Sequence, residues 1–110
     1  MKRTYTLSYL PLFEMDLNAA WRYIAVRLRN PDAANTLMRD TEAAILKRLA
    51  APEAFETRHI GREREHAYYR IQIRNFAVWY VVIGNVMEVR RFLYDRREKV
   101  SLLQEDKSRS

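Results

Sequence analysis

The stretch from residue 90 to residue 97 is rich in arginine and contains a tyrosine, and another arginine lies in an earlier apolar stretch. A guanidinium group can bind a phosphate through two parallel hydrogen bonds, and a tyrosine ring can stack on a base. Arginine can also stabilise the charged intermediate of RNA cleavage while a polarised tyrosine or histidine transfers protons without a metal. Contact with RNA or DNA is therefore one interpretation of this cluster. Its candidate residues are Arg70, Arg90, Tyr94, Arg96 and Arg97.

The same residues also suit a purely structural role. Arginines at strand ends often pair with local carboxylates, and Glu88, Asp95 and Glu98 are available here. Tyr94 could equally be an ordinary tyrosine at the edge of the core. The sequence alone leaves both interpretations open.

Alternation along the last strand predicts which of these side chains are displayed. Successive residues of a strand point to opposite faces, so Arg90 and Arg91 should diverge. The more apolar row should face the core, and the other row should face solvent. The row expected in the core comprises Met87, Val89, Arg91 and Leu93. The row expected to be displayed comprises Glu88, Arg90, Phe92 and Tyr94.

The segment from Tyr68 to Arg97 predicts three successive antiparallel strands. Its density of valine and isoleucine is typical of a buried sheet. Gly84-Asn85 separates two apolar runs and tolerates positive φ, which is a strong hairpin signal. Arg74-Asn75 is a weaker turn that depends mainly on Asn75. We expect this three-stranded meander to carry the functional surface.

The N-terminal part predicts one strand and then a helix. Thr4 to Tyr9 alternates polar residues with tyrosine and leucine, and Pro11 ends the strand. A helix is expected from about Asp16 to Arg29, because apolar residues recur there at three- and four-residue spacing. The apolar stripe of this helix comprises Leu17, Ala20, Trp21, Ile24, Ala25 and Leu28.

A second helix is expected from about Ala33 to Ala50. Asn30 or Asp32 can cap its start, and a connection this short predicts an antiparallel hairpin with the first helix. Lys47 and Arg48 in the last turn suit the negative end of the helix dipole, which favours a structural role for them. The inner face of this helix comprises Ala34, Leu37, Met38, Thr41, Ile45 and Leu49.

The predicted order is therefore strand, helix, helix and a three-stranded antiparallel meander. This order indicates an α+β fold, in which the antiparallel helical hairpin covers one face of a single twisted sheet. The opposite face should be less covered, so that its arginines reach solvent. We expect a short C-terminal helix within Glu98 to Gln104, and a single domain over residues 1–110.

Composition limits the class of partner. The 110 residues are 48% hydrophobic and 31% charged, which is typical of a folded domain rather than a disordered chain. The net charge of +6 favours anionic partners. Residues 56–110 hold twelve Lys/Arg against eight Asp/Glu, whereas residues 1–55 hold eight against six, so the excess follows the predicted sheet.

Several kinds of site and location are not expected. The lack of cysteine excludes a disulfide scaffold and a thiolate metal site, and His59 and His66 lack metal-ligand spacing. We expect no metal, no cofactor and no nucleophilic catalysis through cysteine or a serine elbow. The sequence shows no signal peptide or membrane span, and a cytoplasmic location is expected.

The order of elements and the run YRIQIRNFAVWYVVIGNVMEVRRFLYDRRE resemble the RelE/ParE family of bacterial toxins from type II toxin–antitoxin (plasmid stabilisation) modules. That family has an Arg-containing strand, a strand with an apolar-aromatic Tyr-x-Val, and a strand ending in His or Tyr and then Arg-Arg-Asp. The resemblance covers nearly the whole chain. The positions that carry it are Arg70, Val78 to Val81, Val89, Leu93, Tyr94, Arg96, Arg97 and Glu98, with Asp16 and Leu17 also fitting.

The resemblance implies a small basic toxin that is held inactive by a cognate antitoxin protein. RelE-like members cleave mRNA in the ribosomal A site without a metal, as mRNA interferases, and ParE-like members poison DNA gyrase and are not nucleases. In the nuclease version, Tyr94 would transfer the proton and act with Arg90. The phosphates would be held by Arg70, Arg90, Arg96 and Arg97. We expect mRNA cleavage ahead of gyrase inhibition.

The chain also departs from the nuclease pattern. RelE-like nucleases usually place an arginine near the start of the middle strand, where this chain has Asn75-Phe76-Ala77, and Tyr94 stands where many members have histidine. Whether the protein is an enzyme therefore stays open. The alternative from another class is a non-catalytic module of the same fold that binds protein or nucleic acid.

Overall fold

Residues 4–57 and 66–94 form a four-stranded sheet and a helical hairpin in the computed structural model described here. Four strands and two α-helices appear in the order β1, α1, α2, β2, β3, β4, and a π-helical turn, Tyr23–Arg27, extends α1. The strands are β1 (Thr6–Tyr9), β2 (Tyr69–Ile73), β3 (Phe76–Ile83) and β4 (Val86–Tyr94). The helices are α1 (Pro11–Arg22) and α2 (Pro31–Arg48).

The sheet has the strand order β1-β4-β3-β2, so the first strand of the chain joins the last. The three strands of the meander are antiparallel, as the sequence predicts, and β1 pairs parallel to β4. β1 and β2 therefore run in the same direction, and the two helices between them return the chain to the end of the sheet where β2 begins. The predicted α+β architecture is confirmed for the described elements.

The main core lies between the helical hairpin and one face of the sheet. The helices contribute Phe13, Leu37 and Ile45, each at most 2% exposed. Because residues alternate along each strand, every second residue of the meander faces these helices. The sheet residues buried here are Tyr69, Ile71, Ile73, Val78, Tyr80, Met87, Val89 and Phe92.

Part of the opposite face of the sheet, which the sequence predicts to be less covered, is also buried. Tyr68, Ala77, Trp79 and Val81 form a second apolar cluster, and Leu93 packs against it. Trp79 is fully buried and packs edge-on against Tyr68, with ring centroids 6.3 Å apart. Strands buried on both faces explain the nearly continuous apolar sequence of β3.

A β-bulge in β4 corrects the predicted assignment of faces. Tyr80 pairs with Val89 whereas Trp79 pairs with Arg91, so Arg90 has no partner opposite it in β3. One extra residue reverses the alternation beyond that point. Phe92, predicted on the displayed row, therefore lies in the main core, and Leu93, predicted in the core row, packs on the other face.

The first helix begins and ends differently from the prediction. Pro11 starts it, because a proline loses nothing at the first helical position, where the missing N–H would have no partner. Tyr23–Arg27 then forms a π-helical turn, whose extra residue rotates the following side chains away from the core. Leu28, predicted on the inner stripe, is consequently 57% exposed.

The second helix confirms its predicted cap and most of its inner face. The Asn30 side chain accepts a hydrogen bond from the Ala33 N–H at 3.1 Å, and Pro31 occupies the first turn. Ala34, Leu37, Thr41 and Ile45 are buried.

The turn between β2 and β3 lies where it was predicted but depends on a different residue. Arg74, rather than Asn75, has the positive φ of 55°, and in the next turn Gly84 has a φ of 63°. An arginine in this region costs more than a glycine would, since its Cβ crowds the backbone. The Arg74 guanidinium donates to Asp40 of α2 at 2.6 Å, and this pair helps to hold the turn against the helix.

Three expectations fall outside the described residues: the phosphate-binding roles of Arg96 and Arg97, and the short C-terminal helix. Within residues 4–57 and 66–94, no helix has the length and apolar character needed to cross a bilayer.

Asp16 connects α1 to the part of β4 that β1 does not reach. β1 ends at Tyr9, opposite Val89, so the backbone of β4 beyond that point has no strand on this side. The Asp16 carboxylate accepts the Phe92 N–H at 3.0 Å, and Arg91 donates to both of its oxygens at 2.7 and 3.2 Å. Both side chains are well buried, with exposures of 15% for Asp16 and 16% for Arg91.

Replacing Asp16 with alanine should destabilise the protein by about 2–4 kcal/mol, because it leaves the buried Arg91 guanidinium and the Phe92 N–H without their acceptor. Asp40→Ala is the matched control, since it breaks the exposed Arg74 pair and should cost less than about 1 kcal/mol. Urea unfolding followed by circular dichroism measures both. Equal effects of the two substitutions would contradict the structural role of Asp16.

Candidate functional site

Arg90 occupies the bulge and is held by neighbours on the second face of the sheet. Its Nε donates to Glu88 Oε2 at 2.8 Å, and one terminal nitrogen donates to the Tyr68 hydroxyl at 3.2 Å. The guanidinium also lies 5.7 Å from the centre of the Tyr68 ring. The Arg90 and Glu88 side chains are only 18% and 20% exposed. Arg90 is therefore a partly buried, ion-paired group rather than a displayed one.

These contacts keep Arg90 positively charged. Desolvation acts to lower its pKa, but the hydrogen bonds with Tyr68 and Glu88 outweigh that effect and raise the pKa above its ordinary value. The group is cationic at every physiological pH. It cannot accept a proton from a substrate, and any phosphate that it bound would compete with the Glu88 carboxylate for its charge.

Tyr94 lies at the end of β4 and is 46% exposed. It pairs with Phe76 of β3, and the two rings meet edge-on with centroids 5.5 Å apart. Phe76 in turn stacks on Phe92 at 4.8 Å. These contacts place Tyr94 on the helical side of the sheet, at the rim of the main core.

The two residues predicted to act together in catalysis therefore lie on opposite faces of the sheet. Simple alternation places Arg90 and Tyr94 in the same row, but the bulge at Arg90 reverses the row between them. Arg90 shares its face with Tyr68 and Glu88, and Tyr94 shares its face with Phe76. A single phosphate cannot contact both side chains across a sheet.

Arg70 lies on the same face as Arg90. It pairs with Trp79 of β3, which is buried in the second cluster, and Trp79 pairs with Arg91 of β4. Arg70 is half-buried, and its backbone carbonyl accepts a hydrogen bond from Arg48 at 3.4 Å. Thus the structure brings Arg70 and Arg90 to one face and separates both from Tyr94.

Tyr68 is a site residue that the sequence reasoning missed. It is 3% exposed and contacts both Trp79 and Arg90, so it links the apolar cluster to the arginine. The only sequence signal for it was the alternation of Tyr68 with Arg70 at the start of β2. That signal becomes informative only when the pairing with β3 is known.

Arg48 anchors the end of α2 to the sheet, in agreement with the structural role predicted for it. Its guanidinium lies 3.6 Å from the centre of the Phe55 ring and donates to the Tyr80 hydroxyl at 3.0 Å. Tyr80 donates its own proton to the Pro52 carbonyl at 2.7 Å. This network joins α2, the segment after it and β3 around one buried phenol.

Burial keeps the Tyr80 phenol protonated. Desolvation raises its pKa to about 12, although the hydrogen bond and charge of Arg48 act in the opposite direction. The unfolded chain has an ordinary tyrosine pKa of about 10, so between these values the native state binds more protons than the unfolded state. Stability should therefore be complete below pH 10 and should decrease as the pH rises towards 12.

Tyr80→Phe should remove this part of the alkaline destabilisation. At pH 8 the variant should be less stable by about 1–3 kcal/mol, because Arg48 and the Pro52 carbonyl lose a buried partner. Between pH 10 and pH 12 its free energy of unfolding should fall less steeply than that of the wild type. Urea unfolding at a series of pH values measures both effects, and parallel pH profiles would contradict the assignment of the raised pKa to Tyr80.

The described residues contain no cluster of three or more His, Cys, Asp or Glu that could hold a metal ion.

Solved structures share this fold. A chain of the chromosomal ParDE TA system from P. aeruginosa matches with a TM-score of 0.65 and 17% identity, over 84% of this chain and 98% of that chain. The isolated E. coli RelE toxin matches with a TM-score of 0.51 and 18% identity, over 94% and 98%. A chain of the archaeal RelE-RelB complex from Pyrococcus horikoshii OT3 matches with a TM-score of 0.50 and 14% identity, over 86% and 99%.

These similarities confirm the predicted RelE/ParE-like fold, and at such low identity they extend to the fold alone. No protein-family model matches the sequence, and no curated protein matches it.

Proposed function

We propose that this protein is the toxin of a type II toxin–antitoxin module. The observation that supports the proposal is the topology: a helical hairpin crosses the sheet so that β1 lies parallel to β4. That arrangement matches nearly the full length of a ParDE chain and of the RelE toxin. The net charge of +6 is consistent with a toxin that binds an acidic antitoxin or an anionic target.

The toxin acts by binding its target rather than by cleaving RNA. Arg90 is committed to Glu88 and Tyr68, and it lies across the sheet from Tyr94. A metal-free nuclease needs its proton-transfer group and its phosphate-binding group at one phosphate. We therefore favour the gyrase-poisoning mode of ParE-like toxins, which is the reverse of the order suggested by the sequence.

Metal-free mRNA cleavage would need a different set of residues. Tyr94 is accessible at the rim of the core, so it could act only with cations that reach the helical side of the sheet. Arg96 and Arg97 follow it within three positions and are the candidates for holding a phosphate there. Arg90 and Arg70 would then support the fold of the opposite face.

Induced expression in a bacterial host tests the toxin role. The protein alone should arrest growth, and co-expression of the reading frame adjacent to its gene should restore growth. Asp16→Ala is a suitable comparison, since a loss of about 2–4 kcal/mol of stability should lower the amount of folded toxin and weaken the arrest. Normal growth at good soluble expression would refute the proposal and would favour a non-catalytic binding module of the same fold.

Two purified assays separate the modes of action. Gyrase with supercoiled DNA should be inhibited by the wild type, and mRNA on programmed ribosomes should remain intact. Tyr94→Phe, which keeps the ring but removes the hydroxyl, should leave growth arrest within about twofold of the wild type, because no proton transfer is required. Cleaved mRNA in the ribosome assay, abolished by Tyr94→Phe and retained by Arg90→Lys, would show instead that Tyr94 is catalytic.

A further inference from the structure

The first helix carries a second apolar stripe, on the side that faces away from the sheet. Phe13, Leu17, Ala20 and Ile24 pack into the main core. Large apolar side chains also recur on the outer side and remain exposed, with Met15 at 66% and Val26 at 65%. We call this surface the outer face of α1. Its residues are Leu12, Met15, Ala19, Arg22, Tyr23, Val26 and Arg27, with Leu28 and Arg29 at its end.

The spacing of the exposed apolar residues is helical. Leu12, Met15, Ala19, Tyr23 and Val26 follow one another at intervals of three or four, so they lie along one line of the helix. A helix that only covers a sheet normally presents polar side chains to solvent. A continuous exposed apolar surface of this kind usually marks a binding site for another protein.

A groove lies at the centre of the outer face. It has a volume of about 370 Å³ and is lined by Ala19, Arg22, Tyr23, Val26 and Arg27. The small side chain of Ala19 leaves a gap between larger neighbours. The π-helical turn begins at Tyr23 and widens the backbone at this point, and π turns inside helices often coincide with functional sites. A groove of this kind can receive an apolar anchor residue from a partner.

The charge on the outer face has one sign. Arg22, Arg27 and Arg29 are exposed, and none of them forms an ion pair with a residue of the described ranges. The two carboxylates of α1 lie elsewhere: Asp16 binds Arg91, and Glu14 lines the cleft between α1 and α2. The outer face is therefore apolar along its centre and purely basic at its edge.

We propose that the outer face of α1 binds an acidic amphipathic helix of a protein partner. Apolar residues of that helix, three and four positions apart, would contact Met15 and Val26 and place one anchor in the groove at Ala19. Carboxylates beside those residues would pair with Arg22, Arg27 and Arg29.

A second copy of the chain fits the outer face less well. A symmetric contact uses the same patch on both molecules, so it would bring the arginines of one copy towards those of the other.

The docking face is inferred from α1 alone. Only the identification of the partner as the antitoxin rests on the proposed function.

Synthetic peptides test the docking face directly. The probe is a fluorescently labelled 20-residue peptide with leucines at helical spacing and flanking glutamates, and the control peptide has lysines in place of the glutamates. Fluorescence anisotropy should show that the wild type binds the acidic peptide at least about tenfold more tightly than the basic one, a difference of about 1.4 kcal/mol. Equal affinity for the two peptides, or no binding of either, would overturn the proposal.

Surface variants locate the contact. Met15→Glu combined with Val26→Glu should weaken binding of the acidic peptide by at least about tenfold. Leu46→Glu is the matched control, because it places the same charge at a 54% exposed leucine of α2 and should leave the affinity unchanged. Thermal unfolding followed by circular dichroism confirms that the variants fold. Equal losses in the double variant and in the control would also overturn the proposal.

Charge reversal provides the sharpest comparison. Arg22→Glu combined with Arg27→Glu should weaken binding of the acidic peptide and strengthen binding of the lysine peptide. Sedimentation of the wild type tests the alternative occupant: a dimer that Met15→Glu converts to a monomer would show that a second copy covers the face.

Separate measurements test the docking face and the toxin role. Peptide binding needs no toxic activity, and growth arrest needs no peptide. The double variant of Met15 and Val26 should still arrest growth, and the antitoxin should no longer restore it. Arrest that the antitoxin relieves equally in the variant and the wild type would overturn the identification of the partner as the antitoxin, while the toxin role stands.

Discussion

The Asp16 carboxylate binds the part of β4 that has no neighbouring strand on one side. β1 reaches only as far as Val89, whereas β4 continues to Tyr94, so the backbone beyond Val89 would be an unpaired edge. Asp16 accepts one of its N–H groups and fixes Arg91 beside it. An exposed sheet edge invites pairing with other chains, and a helix that covers it removes that hazard. The contact also fixes α1 across β4, and so determines which side of the helix faces solvent.

The bulge at Arg90 is the second constraint, and it decides the chemistry that the sheet can support. By adding one residue to β4, it directs Phe92 into the main core, where the ring contacts Phe13 and Phe76. The same residue leaves Arg90 between Glu88 and Tyr68 on the other face. Packing and site geometry are therefore coupled. Without the bulge, Arg90 and Tyr94 would share one face, as a nuclease site would require, and Phe92 would lose its place in the core.

Within residues 4–57 and 66–94, several arginines of the sheet are paired with carboxylates. Arg90, Arg91 and Arg74 all pair with carboxylates of the fold. Arg22, Arg27 and Arg29 instead lie beside an apolar stripe on the first helix. A mixed surface of arginine and apolar side chains suits an amphipathic protein segment better than a phosphate backbone, which has no apolar part to bury. The surface suited to a protein partner therefore lies on the first helix, apart from the sheet.

The sequence by itself determined the elements and their order, because turn residues, caps and apolar periodicity act over a few positions. Gly84-Asn85 marked a turn, Asn30 marked a cap, and alternation marked the meander. Only the tertiary structure decided which residues meet. The parallel pairing of β1, the contact of Asp16 with Arg91 and the bulge at Arg90 join residues far apart in the chain or depend on strand register, and no local pattern encodes them. A shift of one residue reverses every side chain that follows, so the faces of β4 could not be deduced from alternation alone.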